Sequence, residues 1–186
     1  MIGLIVEGDF DRETISALVQ RVSEQREPLV SRVCGGAVRG RFPRLLRELQ
    51  YHNLRKVLVV RDAHGKDPQA ARSELEREIQ NQNYSFPVKF VVVEQELEAW
   101  LLADPGALSA VCVRRGKGAN LPQLTKSPES FQDAKKELQV ILGKAGIDYT
   151  QAVAREIADL ANLDDQTGLA YWCRSFREFR DAVQDC

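Results

Sequence analysis

Lys56-Val57-Leu58-Val59-Val60-Arg61-Asp62-Ala63-His64-Gly65 is the stretch on which the reading of the whole chain turns. A short continuous run of mostly β-branched residues, set between helix-like segments, reads as a strand of a parallel sheet buried on both faces. The run ends just before an acid. Two further runs do the same, Leu4-Ile5-Val6 stopping on Glu7 and Phe90-Val91-Val92-Val93 on Glu94. Parallel sheets bind ligands at the carboxyl ends of their strands, so the sequence directs carboxylates to one edge. Like charges held close raise one another's pKa, and a hard divalent cation bound by oxygens removes that cost.

Outward from this run the pattern repeats. Residues 2–6 form a strand followed by a helix that starts at Asp9 or Asp11 and carries Ile15, Leu18, Val19 and Val22 on one face. A weaker strand at Leu29–Val33 leads through Gly35-Gly36 into a helix with Pro43 in its first turn and Leu45, Leu46 and Leu49 inside. After Asp62 a helix opens at Asp67-Pro68 with Ala71, Leu75 and Ile79 on one face, and the strand Val88–Val93 precedes a helix begun by Leu97, Trp100 and Leu101. Four β-α units make residues 1–104 an α/β core with a four-stranded, doubly wound parallel sheet flanked by helices. Residues 105–186 differ. They are punctuated by glycine and proline as far as Pro128 and then show three helical patterns, Phe131–Leu142, Val153–Ala161 and Leu169–Val183, expected to pack on the core as an extension with the aromatic last helix as a clamp.

Composition excludes several classes. With 186 residues, 44% apolar and 28% charged, the chain is neither disordered nor fibrous. No apolar run approaches the roughly 20 residues of a membrane helix, and the N-terminus opens on a strand with Glu7 and Asp9 instead of a basic signal peptide, so a cytoplasmic protein with no membrane association is expected. Four cysteines without a Cys-x-x-Cys pair, and two histidines, argue against a zinc site or a disulfide framework. A net charge of −1 supplies no global field for a polyanion. Locally the balance breaks: Arg32 to Arg47 holds five arginines and no acid, and Pro105 to Pro128 holds Arg114, Arg115, Lys117 and Lys126 and no acid. Beside Gly35-Gly36, Gly40, Gly116 and Gly118, the cations Arg39, Arg41, Arg114, Arg115 and Lys117 are candidate phosphate contacts; inert solvated faces are the alternative.

Among the acids, Glu7 precedes Gly8 and a helix N-terminus, which suits an acid/base group or a metal ligand as well as a simple cap. Asp62 and His64 would share a face if the backbone stayed extended, and a carboxylate with an imidazole can hold a metal. Asp67 before Pro68 reads as an N-cap. In Glu94-Gln95-Glu96-Leu97-Glu98-Ala99-Trp100 a helix would put Glu94 and Glu98 on one face and turn Glu96 away.

Val6-Glu7-Gly8-x-x-Asp11 followed by Val59-Val60-x-Asp62-x-His64 in this frame resembles the Toprim domain of topoisomerases, DnaG-type primases and OLD-family nucleases. More narrowly, Glu94 to Asp104 with the downstream Ser-Pro-Glu129 and Lys135-Lys136 resembles, over nearly the whole chain, a Toprim-like domain-of-unknown-function family of small prokaryotic proteins often found beside ABC-type ATPases. The resemblance implies a Toprim-like sheet and metal-assisted phosphoryl transfer with Mg2+ or Mn2+, most directly a nuclease acting on nucleic-acid phosphodiesters with an ATPase as possible partner. It assigns catalytic roles to Glu7, Asp62 and Glu96 and metal ligation to Glu7, Asp62, His64 and Glu98. The family's second aspartate is replaced by His64, which weakens the case for two-metal chemistry. Two alternatives use the same frame: a weakly active or inactive binding module for an ATPase, and a phosphohydrolase acting on nucleotides. Gly35-Gly36 and Gly116-x-Gly118 lack the Lys-Ser/Thr ending of a P-loop, so the chain is not expected to be the ATPase itself.

Overall fold

The computed structural model describes residues 1–24, 27–115, 121 and 123–185. Four parallel strands, β1 (Ile2–Val6), β2 (Leu29–Val33), β3 (Lys56–Asp62) and β4 (Val88–Val93), form one sheet in the order β2-β1-β3-β4. The chain starts at β1, moves outward to β2, then crosses back to β3. Strand order therefore reverses between β1 and β3, and in open α/β sheets the ligand crevice lies at that reversal, beyond the carboxyl ends of the strands.

Side-chain alternation assigns the two faces. Ile2, Leu4 and Val6 of β1, Leu58 and Val60 of β3, and Val91 and Val93 of β4 join one apolar cluster with α1 (Asp9–Val22) and the helices after β4. Ile5, Val57 and Val59 point the other way, onto Phe42, Leu46 and Leu49 of α2 (Phe42–Leu49) and Leu75 of α3 (Pro68–Ile79). Asp62 continues the Leu58-Val60 parity and so faces α1. Gly3 is required at its place: a Cβ there would lie 2.8 Å from Val57 and 2.9 Å from Leu54.

After β4 come α4 (Glu98–Leu102), α5 (Pro105–Arg114), a 3-10 turn at Pro128–Ser130, α6 (Ala134–Lys144), α7 (Gln151–Leu160), α8 (Leu169–Trp172) and α9 (Arg174–Gln184). Helix α5 lies where the sequence reads as a punctuated loop. Pro105 occupies its first turn, the Asp104 carboxylate accepts from the Ala107 amide at 3.0 Å, and Ala107, Leu108, Val111 and Cys112 are buried. The last helical pattern is also split. Cys173 is extended, and the buried carboxylate of Glu129 accepts from the Arg174 and Ser175 amides and the Ser175 hydroxyl, restarting the helix at Arg174. The clamp expected of the aromatic helix takes the form of Phe176 and Phe179 against Trp100, with ring centroids 5.2 and 5.1 Å away.

Helix α7 runs beside α1, with Arg155 paired to Glu13 at 2.8 Å and Arg21 donating to the Ala158 carbonyl at 2.7 Å. Cys34, Cys112 and Cys173 are free thiols, and Cys186 lies outside the described residues. Among the described residues no helix is long and apolar enough to cross a membrane.

Candidate functional site

The carboxyl ends of β1 and β3, the first turn of α1 and the start of α4 bring four acids together. Glu7 follows β1 directly. At the third position of α1, Asp11 turns back so that its Oδ2 accepts from the Gly8 amide at 3.0 Å, which fixes the tight turn after Glu7. Asp62 ends β3 and faces α1. Glu98 opens α4 and is 5% exposed.

Charge makes the convergence visible. The Asp62 carboxyl is pushed well above the usual carboxylate range, first by burial and then by the charges of Asp11, Glu98 and Glu7, against which the Leu97 amide gives partial relief. Asp11 is raised by burial and by Glu7, with the Gly8 amide, Lys135 and His64 opposing. Glu98 is raised by burial and by Glu96, with its own backbone amide, Lys135 and Tyr149 opposing. Burial outweighs the opposing groups at all three carboxyls.

Positive and neutral groups ring this cluster. His64 Nε2 is 3.5 Å from Glu7 Oε2. Lys135 Nζ, from α6, is 3.8 Å from Glu98 Oε1, and the Tyr149 hydroxyl donates to the same oxygen at 3.2 Å. Tyr149 is partly buried, stands edge-on to Phe10 at 5.0 Å, and its phenol is held far above its ordinary value by desolvation and by Glu98. Lys135 Nζ also lies over the Phe10 ring, 5.6 Å from its centre.

The residues expected from sequence divide into three groups. Glu7, Asp62, His64 and Glu98 gather at the crevice. His64 arrives there by a route other than an extended backbone, because its φ is 48° and its amide bonds to the Gln95 carbonyl, turning the imidazole toward Glu7. Glu96 stands beside them, where its Oε2 accepts from the Lys135 amide at 3.1 Å and caps α6. Glu94 does not share a helical face with Glu98 as expected. Gln95 has a φ of 62° and α4 begins only at Glu98, so Glu94 instead lines a cavity of about 190 Å3 with Arg72, Arg174 and Ser175. Asp67 caps α3, accepting from the Gln69 amide at 3.1 Å.

The candidate phosphate-binding cations are spread out. Arg41 is at the crevice end of β2, where its Nη1 donates to the Cys34 and Gly35 carbonyls while the Gly35 and Gly36 amides donate to the Glu7 carbonyl. Arg39 pairs with Glu74 and Glu78 of α3, both at 3.7 Å, and Arg114 and Arg115 pair with Glu156 of α7 at 3.8 and 3.0 Å. Lys117, with Gly116 and Gly118, lies outside the described residues. Sequence reasoning gave no role to Asp11, Tyr149 or Lys135. The offset of Asp11 from Glu7 carried a signal, being a helix third position, but nothing local ties Tyr149 to Glu98 across 51 positions.

An all-oxygen set of Glu7, Asp11, Asp62 and Glu98 suits a hard divalent ion such as Mg2+, which would also relieve their mutual repulsion. Among the described residues no group of three or more His, Cys, Asp or Glu side chains stands close enough together to hold a metal ion. Mg2+ is usually bound by one or two carboxylates with several waters and substrate oxygens retained.

Among solved structures, the C-terminal region of the Xanthomonas campestris pv. campestris OLD protein is similar at 19% identity, covering 98% of this chain and 95% of that one with a TM-score of 0.45. The C-terminal region of the Burkholderia pseudomallei OLD protein is similar at 15% identity, covering 98% of both chains, also with a TM-score of 0.45. No curated protein matches the sequence. The model of one family, the domain of unknown function DUF4276, matches residues 6–184, and the chain belongs to that family.

Proposed function

We propose that the protein is a metal-dependent phosphodiester hydrolase acting on nucleic acid, with Mg2+ or Mn2+ at the crevice between β1 and β3. The observation that carries this reading is the convergence of Glu7, Asp11, Asp62 and Glu98 at the strand ends, where their charges oppose one another at partly desolvated positions. The Toprim-like sequence motifs support it. A bound divalent ion would supply charge neutralisation at a phosphate oxygen and an activated water.

The chain's own groups have separate tasks. Asp62 and Asp11 supply ligand oxygens from the end of β3 and the first turn of α1. Glu7 stands 3.5 Å from His64 at the strand end, a placement that suits an acid/base role for Glu7. Glu98 supplies a further oxygen, and Glu96, engaged with the Lys135 amide, sets α6 against the site. Arg41 is the cation best placed to meet a phosphate. The near-neutral net charge gives weak intrinsic affinity for a polyanion, so a partner, an ABC-type ATPase by the sequence resemblance, would present the substrate.

The test is cleavage of labelled single- and double-stranded DNA and RNA with Mg2+ or Mn2+, comparing wild type with Glu7→Gln and Asp62→Asn. Metal-dependent cutting that is lost in both variants supports the proposal, and cutting that persists in both overturns it. The open, unclosed ligand set and the His64 substitution favour a second reading, a regulatory module that binds an ATPase. Under that reading the pure protein cuts nothing with either metal and co-purifies with the ATPase.

A further inference from the structure

Tyr149 and Lys135 belong to the segment that follows the α/β core, yet both reach back into the acidic crevice. Their contacts with Glu98 are unequal in kind but coincide in place, since both fall on Oε1. Glu98 itself is almost wholly enclosed. A buried glutamate has several rotamers open to it unless something fixes the carboxylate, and a hydroxyl donor on one oxygen fixes both its direction and its roll. The phenol that does this is itself immobilised. Its ring stands edge-on to Phe10, the second residue of α1, one residue before the Asp11 turn. The spacing Phe10, Asp11 and Tyr149, Glu98 therefore couples two site acids through one aromatic contact.

We infer that Tyr149 is a positioning residue that anchors Glu98 by one oxygen, so that the other is presented to a divalent cation shared with Asp62. This rests on the metal-binding reading of the crevice and adds a residue from the helical extension to it. Packing alone would need only the ring. Among the described residues the hydroxyl bonds to Glu98 alone, and removing it leaves the Phe10 contact in place.

The experiment measures Mn2+ binding by calorimetry and by the electron paramagnetic resonance of the free ion, in wild type, Asp62→Asn, Tyr149→Phe, Glu98→Gln and the Tyr149→Phe/Glu98→Gln double variant, each checked for folding by circular dichroism. Tyr149→Phe is expected to bind Mn2+ about 10-fold more weakly than wild type, the lower end of the range for loss of a residue that orients a ligand. In the Glu98→Gln background the same change should cost nothing further, because the two act as one unit. Wild-type affinity in a folded Tyr149→Phe, with wild type binding and Asp62→Asn failing to bind, overturns the inference and leaves the metal site standing. An equal loss with and without Glu98 also overturns it, since the hydroxyl would then act by another path. If wild type binds no Mn2+ at all, the metal reading itself falls and takes this inference with it.

Discussion

Strand β3 carries a charged side chain at each end, and the fold treats the two oppositely. At the amino end Lys56 is 1% exposed, and its ammonium donates to the Ala182 carbonyl at 2.8 Å and to the Asp185 carbonyl, at the C-terminus of α9. Burial lowers its pKa, yet the helix end supplies what the cation needs. At the carboxyl end Asp62 meets acids: Asp11, Glu98 and Glu7 all push its pKa in the direction burial already does. One charge is answered from within the chain and the other is opposed by its neighbours. Buried charge in a protein of this kind is thus of two sorts, and the neighbours, more than the burial, tell them apart.

The largest effect is expected where the fold has committed a charge to structure. Lys56→Met strips the C-terminal carbonyls of α9 of their donor and should destabilise the protein by about 2–3 kcal/mol, as for a lost buried hydrogen bond to a charged group. Chemical denaturation with and without Mg2+ checks this, and the loss should be the same in both. The opposite sign is expected at the other end of the strand. Asp62→Asn should raise metal-free stability by about 0.5–2 kcal/mol, the common gain when a functionally strained group is replaced, while abolishing any rise in melting temperature on adding Mg2+. A less stable Asp62→Asn would break the comparison, because Asp62 would then be as structural as Lys56.

A smaller effect follows from pH. Asp62, Asp11 and Glu98 all have folded-state pKa values above their unfolded ones, so the folded chain binds more protons through that window. Their contribution to stability is fully present below the unfolded carboxylate value, near pH 4, and declines as pH rises through the raised folded values. Asp164 acts in the reverse sense, because amides from Thr167, Gln166 and Gly168 hold its pKa down, but that loss begins only below about pH 4. Calorimetry in EDTA should therefore show wild type melting higher at pH 5 than at pH 8, with a shallower slope in Asp62→Asn. The smallest effects belong to the exposed arginines. Arg39→Ala, Arg114→Ala and Arg115→Ala each remove surface ion pairs and should shift stability by less than about 0.5 kcal/mol. A fall in nucleic-acid affinity in any of them, at unchanged stability, would restore that residue as a phosphate contact.

What the sequence disclosed follows the range of the forces involved. The strands, the Asp67 cap and the Pro43 helix start are set by neighbours within a few positions, and each lies where the pattern put it. The meeting of Glu7 with Asp62 follows from strand order, which the β-α repeat implies. Helix α5 was hidden by Pro105-Gly106, although Ala107, Leu108, Val111 and Cys112 have helical spacing and a proline is at home in a first helical turn. The break at Cys173 was not legible, because the group that restarts the helix, Glu129, lies 45 positions away. Nor was the turn at Gln95, a left-handed residue that carries no glycine signature and yet decides which glutamates enter the crevice.

Helix α4 is five residues long, with Glu98 at its head and Trp100 two residues on. The Trp100 indole is fully enclosed, donates to the Ser175 hydroxyl at 2.8 Å, and through it joins the Glu129 carboxylate that starts α9. The chain has one other tryptophan, Trp172, so Trp172→Phe leaves a single emitter mounted on the same rigid segment as a site acid. Its emission wavelength and quenching then report, without an added dye, whether α9 is seated and Glu98 held in register.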